Sequence, residues 1–173
     1  TAFISVLAGL VSPNPFDAVS VLTKNDSSLA LPTYNNEDFW SGIEFISQDE
    51  ELRSIPISPL EFVTGRTRFD QLKVPQKQKL LSILATTCST SLVFNNGRSE
   101  DSIRSIVPSE GEMQRLKIAR ALWNEPVCLL MDEPFSGLDH DTENSIVFNL
   151  RKMYSGTVIL ITHTDLPDSL FSQ

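Results

Sequence analysis

The adjacent acids Asp132 and Glu133 are the residues of this chain best placed to do chemistry. They follow a short apolar run, residues 127–131, and Pro134 enforces a turn directly after them. Such a run between turn signals is typical of a buried parallel strand, and open α/β sheets bind ligands at the carboxyl ends of their strands. Paired carboxylates there suit Mg²⁺ held against phosphates and the activation of a water molecule. The alternative is a strand that ends in a solvated acidic turn.

Two further polar residues directly follow predicted strands. His163 follows the strand predicted for residues 157–162, and Gln48 follows the strand predicted for residues 42–47. Because strands that are consecutive in sequence are usually neighbours in a sheet, we expect His163 to lie beside the acidic pair. The simpler interpretations are a polar strand cap for His163 and a turn residue for Gln48.

A predicted helix begins at Ser109 and carries Glu110, Gly111 and Glu112 in its first turn. Serine followed three residues later by glutamate is the pattern of a capping box. The start of a capped helix is also an anion site, since free N–H groups and the positive end of the helix dipole face outwards. Glycine within a helix costs about 1 kcal/mol relative to alanine. The pattern therefore favours close approach by a phosphate as the reason for Gly111.

The second half of the chain alternates helices and strands that would position these residues. The apolar spacing predicts helices over 109–123 and 141–154 and strands over 127–131 and 157–162. The buried stripes are predicted to comprise Met113, Leu116, Ala119 and Leu122 in the first helix, and Ile146, Val147, Leu150 and Met153 in the second. Strand, helix, strand in this order predicts a right-handed parallel crossover, and therefore an α/β fold.

The first half is less regular. Helices are predicted over residues 1–10, 58–63 and 76–86, a strand over 18–23, and a loop over 95–108. The helix over 76–86 would bury Leu80, Leu81, Ile83 and Leu84.

Composition restricts the class of protein. A chain of 173 residues suits one domain with a substantial core, and 21% charged residues are ordinary for a globular protein. The net charge of −8 argues against a general nucleic-acid-binding surface. No apolar stretch is long enough to cross a bilayer. Cys88 and Cys128 have no metal-ligand or redox spacing, and we expect two reduced structural thiols in a cytosolic protein.

Five segments together resemble the motifs of ABC-type ATPases, in the order and with the spacing of that family. The run Pro108-Ser-Glu-Gly-Glu-Met-Gln-Arg-Leu-Lys-Ile-Ala-Arg-Ala-Leu122 resembles the signature motif and its helix. Leu129-Leu-Met-Asp-Glu-Pro134 resembles the Walker B motif, and Ser136-Gly-Leu-Asp139 resembles the D-loop. Thr157-Val-Ile-Leu-Ile-Thr-His163 resembles the switch-histidine strand, and Ile46-Ser-Gln-Asp49 resembles the Q-loop.

The resemblance implies a P-loop NTPase-like parallel sheet core with a helical signature subdomain, incomplete at both ends. Residues 1–173 would form one partial ABC ATPase domain, with the helical subdomain and the approach to the signature at about residues 50–107. The signature helix, Walker B motif, D-loop and switch histidine would occupy residues 108–173.

The resemblance also implies ATP and Mg²⁺ as cofactors and assigns roles in the chain's own site. Asp132 would help to hold Mg²⁺, mostly through water, and Glu133 would act as the general base on the attacking water. His163 would contact the γ-phosphate and couple it to that water. Gln48 would sense Mg²⁺ and the γ-phosphate and link the site to a transmembrane partner.

Other residues would serve a second, facing ABC domain in a homo- or heterodimer. Ser109, Gly111 and Glu112 of the signature would contact nucleotide bound mainly by that second domain, and Asp139 would reach across the interface. Transmembrane domains would hold the pair at the cytoplasmic face of a membrane, and no nucleic acid is expected as a partner.

The chain contains no Gly-x-x-x-x-Gly-Lys-Ser/Thr phosphate-binding loop. Residues 1–13 resemble the helix that follows this Walker A loop in the family, so we expect truncation after the loop rather than a degenerate domain. Without the loop, the isolated chain should bind nucleotide poorly and be inactive alone.

The signature departs from the usual Leu-Ser-Gly-Gly-Gln at three positions, with Pro108, Glu110 and Glu112. Two carboxylates near a partner's triphosphate should weaken its binding by repulsion unless they point away.

Three functions compete. The first is an ATP-hydrolysing domain of an ABC transporter, of exporter type, which couples hydrolysis in a dimer to transport. The second is a non-catalytic domain that completes a partner's ATP site in trans. The third is a DNA-repair or chromosome-maintenance ATPase, which the lack of a long coiled-coil segment and the acidic charge disfavour.

Overall fold

The computed structural model describes residues 20–22, 28–30, 42–47, 55–94 and 105–163. The predicted helix over residues 1–10 and the residue Gln48 lie outside these ranges, as does most of the predicted loop over 95–108. Along the chain, the described elements are β1 (Ser20–Leu22), β2 (Ser28–Ala30), β3 (Ile43–Ile46), α1 (Pro59–Thr64), a 3₁₀ helix (Phe69–Gln71), α2 (Val74–Thr86), α3 (Thr90–Val93), α4 (Glu110–Trp123), β4 (Cys128–Asp132), α5 (His140–Met153) and β5 (Thr157–Ile161).

A three-stranded parallel sheet in the order β3-β4-β5 forms the centre of the described fold. In register, Leu130 of β4 lies between Phe45 of β3 and Ile159 of β5. β1 and β2 form a separate antiparallel pair. The parallel pairing of β4 and β5 across α5 confirms the predicted α/β class and the neighbouring positions of these strands. None of the helices in the described part of the chain is both long and apolar enough to span a bilayer.

The hydrophobic core lies between the sheet and α2, α4 and α5. Helix α4 packs against β3, α1 and α2, and α2 also contacts α5. All four residues of the stripe predicted for α4 are buried, and Leu129 and Met131 of β4 are equally inaccessible. A short strand between two neighbours buries both of its faces, which explains the continuous apolar run before Asp132.

Three side chains predicted to be buried are exposed. Leu81 is 45% exposed because the core contacts α2 through Leu80, Ile83 and Leu84, which leaves position 81 on the outer face. Met153 is 37% exposed at the last turn of α5, where its sulfur accepts a hydrogen bond from Thr86 Oγ1 at 3.1 Å. Val127 is 68% exposed because β4 begins one residue later than predicted.

The sequence patterns failed to predict several elements and misplaced the bounds of others. Helix α2 begins at Val74, two residues before the predicted start, because Pro75 fits the first turn of a helix. β2, α3 and the 3₁₀ helix were not predicted. Within the predicted loop, Ile106 pairs with Ile57 through two backbone hydrogen bonds of 2.8 Å. This bridge joins the segments that lead into α1 and α4.

Both cysteines are free thiols, as predicted, and both are partly buried. Burial raises the pKa of the Cys128 thiol.

Candidate functional site

The carboxyl ends of β3, β4 and β5 lie at one edge of the sheet because the three strands are parallel. Asp132 is the last residue of β4 and is buried, and His163 follows β5 by two residues. Ser47, at the end of β3, accepts a hydrogen bond at 3.0 Å through its backbone oxygen from Lys117 Nζ of α4. The structure therefore brings the acidic pair and the histidine together. It also anchors the residue that precedes Gln48.

Glu133 leaves the strand with a left-handed backbone conformation. Its φ is 48°, which is unusual for a residue other than glycine. Its N–H donates to the carbonyl oxygen of Ile161 at the end of β5 (2.9 Å), and Pro134 after it is buried. These contacts hold the turn against β5. Residues in such conformations cluster at functional sites, where the surrounding structure maintains the strain.

The Glu133 side chain lies beside His163. The distance from Glu133 Oε1 to His163 Nε2 is 3.5 Å, and the side chains are 25% and 95% exposed, respectively. Oε1 is buried but accepts no hydrogen bond from the part of the chain that the structure describes. The Glu133 side chain as a whole is partly exposed, and a carboxylate with spare acceptor capacity at this edge is suited to bind and deprotonate a water molecule.

The acidic pair also fits the requirements of a magnesium ion held jointly with phosphates. Mg²⁺ usually takes one or two carboxylates and completes its coordination with waters and substrate phosphates. The described residues contain no cluster of three or more His, Cys, Asp or Glu that could form an all-protein metal cage. Asp132, buried at the strand end next to Glu133, is the residue that would hold such an ion.

The predicted capping box forms at the start of α4. Ser109 Oγ accepts from the N–H of Glu112 (3.3 Å), and Glu112 Oε2 accepts from the N–H of Ser109 (2.8 Å). The Glu112 carboxylate is therefore directed at its own backbone rather than outwards.

We predict that Ser109→Ala will lower the free energy of unfolding by about 1 kcal/mol, because the N-cap acceptor is lost. Urea unfolding of the protein would measure the change. Ser145→Ala is the matched control, since its hydroxyl donates to a carbonyl within α5 and caps no helix end. An equal loss from both variants would contradict the capping role.

Gly111 packs against the loop that follows the acidic turn. A Cβ atom at this position would lie 2.4 Å from the carbonyl oxygen of Gly137 and 2.8 Å from Leu138 Cδ2. The sequence pattern suggested no structural reason for a glycine here, and the close approach to Gly137 corrects that inference. Contact between Gly111 and a phosphate remains a prediction.

Glu110 contacts the same loop, which the sequence patterns did not predict. Ser136 Oγ donates a hydrogen bond of 2.5 Å to Glu110 Oε1, and both residues are partly buried. The two residues are 26 positions apart, so no local pattern reveals the contact. The start of the signature-like helix and the D-loop-like segment thus form one continuous surface.

Asp139 is the N-cap of α5. Its carboxylate accepts from the N–H and the hydroxyl of Thr142, at 2.9 and 2.8 Å. The Thr142 backbone N–H, followed by its hydroxyl, holds the pKa of Asp139 below its ordinary value. The stability that this cap contributes is present above the ordinary pKa and is lost as the pH falls through the lowered one. The carboxylate is exposed and faces solvent.

The parallel sheet, with its acidic strand end beside a histidine and the start of a capped helix nearby, is consistent with the P-loop NTPase-like fold that the resemblance implies. The family model described as ABC transporter matches residues 1–136. The chain therefore belongs to the ABC transporter family, and the domain is of the nucleotide-binding type.

Individual relatives agree with this assignment. The chain is 27% identical over 174 residues to the molybdate/tungstate import ATP-binding protein WtpC of Pyrococcus horikoshii, covering 95% of this chain and 44% of that protein. It is 50% identical over 56 residues to the leukotoxin translocation ATP-binding protein LktB of Mannheimia haemolytica, covering 32% of this chain and 8% of that protein.

A solved structure shares the fold. A bacterial Atm1-family ABC exporter with ATP bound matches with a TM-score of 0.59 at 20% identity, covering 91% of this chain and 26% of that one. The chain spans less than half of the length of each of these three proteins.

Proposed function

We propose that this chain is part of an ATP-hydrolysing domain of an ABC transporter that works as a dimer with a second ABC domain. The observation that carries the proposal is the Glu133 carboxylate beside His163 at the carboxyl edge of the sheet. A purely structural domain of this family would need neither residue there.

In the proposed reaction, the carboxylate of Glu133 orients the attacking water and takes up its proton. His163, 3.5 Å away, fixes the direction of that carboxylate and contacts the terminal phosphate. Asp132 holds Mg²⁺, which would neutralise charge on the phosphate oxygens when bound. Catalysis of this kind depends mainly on positioning and electrostatic stabilisation, and the anchored turn at Glu133 supplies the positioning.

The start of α4 and the Asp139 cap would face the second ABC domain, which can be a copy of this chain or a different chain. Ser109, Gly111 and Glu112 would lie near nucleotide bound by that domain. Gln48 would connect the site to transmembrane domains, which would place the protein at the cytoplasmic face of a membrane. The capping box supports this arrangement, since it fixes the start of α4, and the positive end of a helix dipole there favours a nearby anion.

We propose transport of the exporter type. The 50% identity to a translocation protein and the structural likeness to an exporter support this direction, although the longer match is to an importer. Measuring the direction of ATP-driven flux in vesicles that contain the complete transporter would decide it.

The central test is Mg²⁺-dependent ATP hydrolysis by the full-length protein that carries this chain. We predict that the wild-type protein hydrolyses ATP steadily. For His163→Ala we predict a kcat at least tenfold lower, because the carboxylate of Glu133 loses the side chain beside it. His140→Ala is the matched control, since His140 is the other of the chain's two histidines and lies on α5.

The second candidate, a non-catalytic domain that completes a partner's site, predicts a different outcome. In that case the full-length protein would not hydrolyse ATP alone, and adding the partner domain would produce hydrolysis that His163→Ala leaves unchanged. The capping box at the start of α4 is the observation that keeps this candidate under test, because a non-catalytic domain would still need this segment to complete a partner's site.

A further inference from the structure

The contact between Glu110 and Ser136 joins two segments that the proposed function places at the same interface. Glu110 is the first residue of α4, and Ser136 begins the loop 136–138. The hydrogen bond from Ser136 Oγ to Glu110 Oε1, at 2.5 Å, lies within the range of hydrogen bonds that a hydroxyl donates to a carboxylate.

The backbone below this hydrogen bond is closely packed. Gly137 has a φ of 75°, and a Cβ there would lie 2.8 Å from Glu110 Cγ and 3.0 Å from the Gly111 nitrogen. The two glycines therefore stack directly, and the Glu110 side chain passes over Gly137 to reach Ser136. Leu138 closes the loop, because its N–H donates to the Phe135 carbonyl at 3.0 Å.

The turn is also connected to the acidic pair. The N–H of Ser136 donates to the carbonyl oxygen of Glu133 at 3.3 Å. A residue that fixes Ser136 thus also limits the motion of the turn that carries Glu133.

We propose that Glu110 is a positioning residue that holds the loop 136–138 against the start of α4, so that both segments meet nucleotide and partner as one rigid surface. Its carboxylate is committed to a hydroxyl of its own chain. Because a hydrogen bond from a neutral hydroxyl leaves the carboxylate charge in place, the glutamine variant tests repulsion between this acid and a bound triphosphate separately. The expected effect of Glu110 on ATP hydrolysis rests on the proposed function, whereas its effect on the rigidity of the loop 136–138 does not.

The experiment compares Glu110→Ala, Glu110→Gln, Ser136→Ala and the double variant Glu110→Ala/Ser136→Ala in the full-length protein. Glutamine keeps an acceptor oxygen for the serine hydroxyl but removes the charge, and so separates positioning from repulsion. Asp141→Ala is the control, as an exposed acid in the first turn of α5.

The structural readout is hydrogen exchange at the Ser136 and Leu138 amides, which needs no nucleotide. We expect exchange to become about tenfold faster in Glu110→Ala and in Ser136→Ala, equivalent to about 1.4 kcal/mol, and to stay close to wild type in Glu110→Gln. Unchanged exchange in both alanine variants would overturn the inference, even if the protein hydrolysed ATP normally.

The kinetic readout is kcat and KM for Mg-ATP. We expect kcat to fall about tenfold in each alanine variant with little change in KM, and no further in the double variant, because both remove the same contact. Additive losses would overturn the inference. So would a lower KM in Glu110→Gln combined with a silent Ser136→Ala, since that pattern indicates charge repulsion. Absence of hydrolysis in the wild type would contradict only the proposed function. Hydrogen exchange would still show whether the contact between Glu110 and Ser136 holds the loop.

Discussion

Replacing Glu133 by glutamine is expected to lower kcat for ATP hydrolysis by about 10²- to 10⁴-fold, the usual contribution of a general base. Glutamine retains the size and one acceptor oxygen of glutamate, but it cannot take up a proton from water. Asp132 and the start of α4 are unaltered in this variant, so binding of Mg-ATP should persist with a Kd within a few-fold of wild type. The measurements are steady-state phosphate release and equilibrium binding in the full-length protein.

Glu125→Gln is the matched control for this substitution. Glu125 precedes β4 at the opposite end of the strand, where it forms an ion pair with Lys79 at 2.8 Å, and the same chemical change there should leave kcat unaltered. Loss of Mg-ATP binding in Glu133→Gln would show that the carboxylate holds the nucleotide rather than the attacking water. Wild-type turnover in Glu133→Gln would exclude it as the base.

Replacing Gly111 by alanine is expected to destabilise the protein, although alanine is the better helix former. Helix propensity alone predicts a gain of about 1 kcal/mol. The added methyl group would lie 2.4 Å from the carbonyl oxygen of Gly137, a backbone atom that can move only with its loop. Overpacking of this kind costs typically about 1–3 kcal/mol, so after the gain in helix propensity we expect a net loss of up to about 2 kcal/mol in the free energy of unfolding, measured by urea unfolding.

Gly42→Ala provides the comparison. There the new Cβ would meet Val127 Cγ2 at 2.9 Å, the end of an exposed side chain that can rotate away, so the loss should be smaller. A Gly111→Ala variant with a higher free energy of unfolding than the wild type would show that the loop moves easily to accommodate the methyl group. The packing reason for this glycine would then fail, and approach by a phosphate would again be the better explanation.

The regular elements of the second half could be predicted because their apolar residues repeat with clear periods. The stripe from Met113 to Leu122 reflects burial of one face of α4, and the continuous run before Asp132 reflects burial of both faces of β4, so a local pattern records each of them. The capping box was equally predictable, since its two residues are three positions apart. Burial at the ends of elements was predicted less well, as the exposed Val127 and Met153 show.

Contacts between distant segments could not be predicted from the residues alone. The hydrogen bond from Ser136 to Glu110, the stacking of Gly111 on Gly137 and the link from Lys117 to Ser47 depend on how α4 is seated against the sheet. The backbone conformation of Glu133 likewise has no signature, since proline after a strand is compatible with several turns. The juxtaposition of Glu133 and His163 was predictable in outline, because parallel strands place their carboxyl ends at one edge.

The left-handed backbone of Glu133 has a consequence for how this position can vary. A non-glycine residue held in this region of φ carries an energetic penalty of about 1–3 kcal/mol. Glycine or asparagine would relieve part of that strain. Selection for stability alone would therefore favour replacement of the glutamate at this position. A chain that has lost its catalytic task should therefore accumulate such replacements at position 133 early. If the proposed function is correct, glutamate should be retained at this position in active relatives despite the strain of the turn.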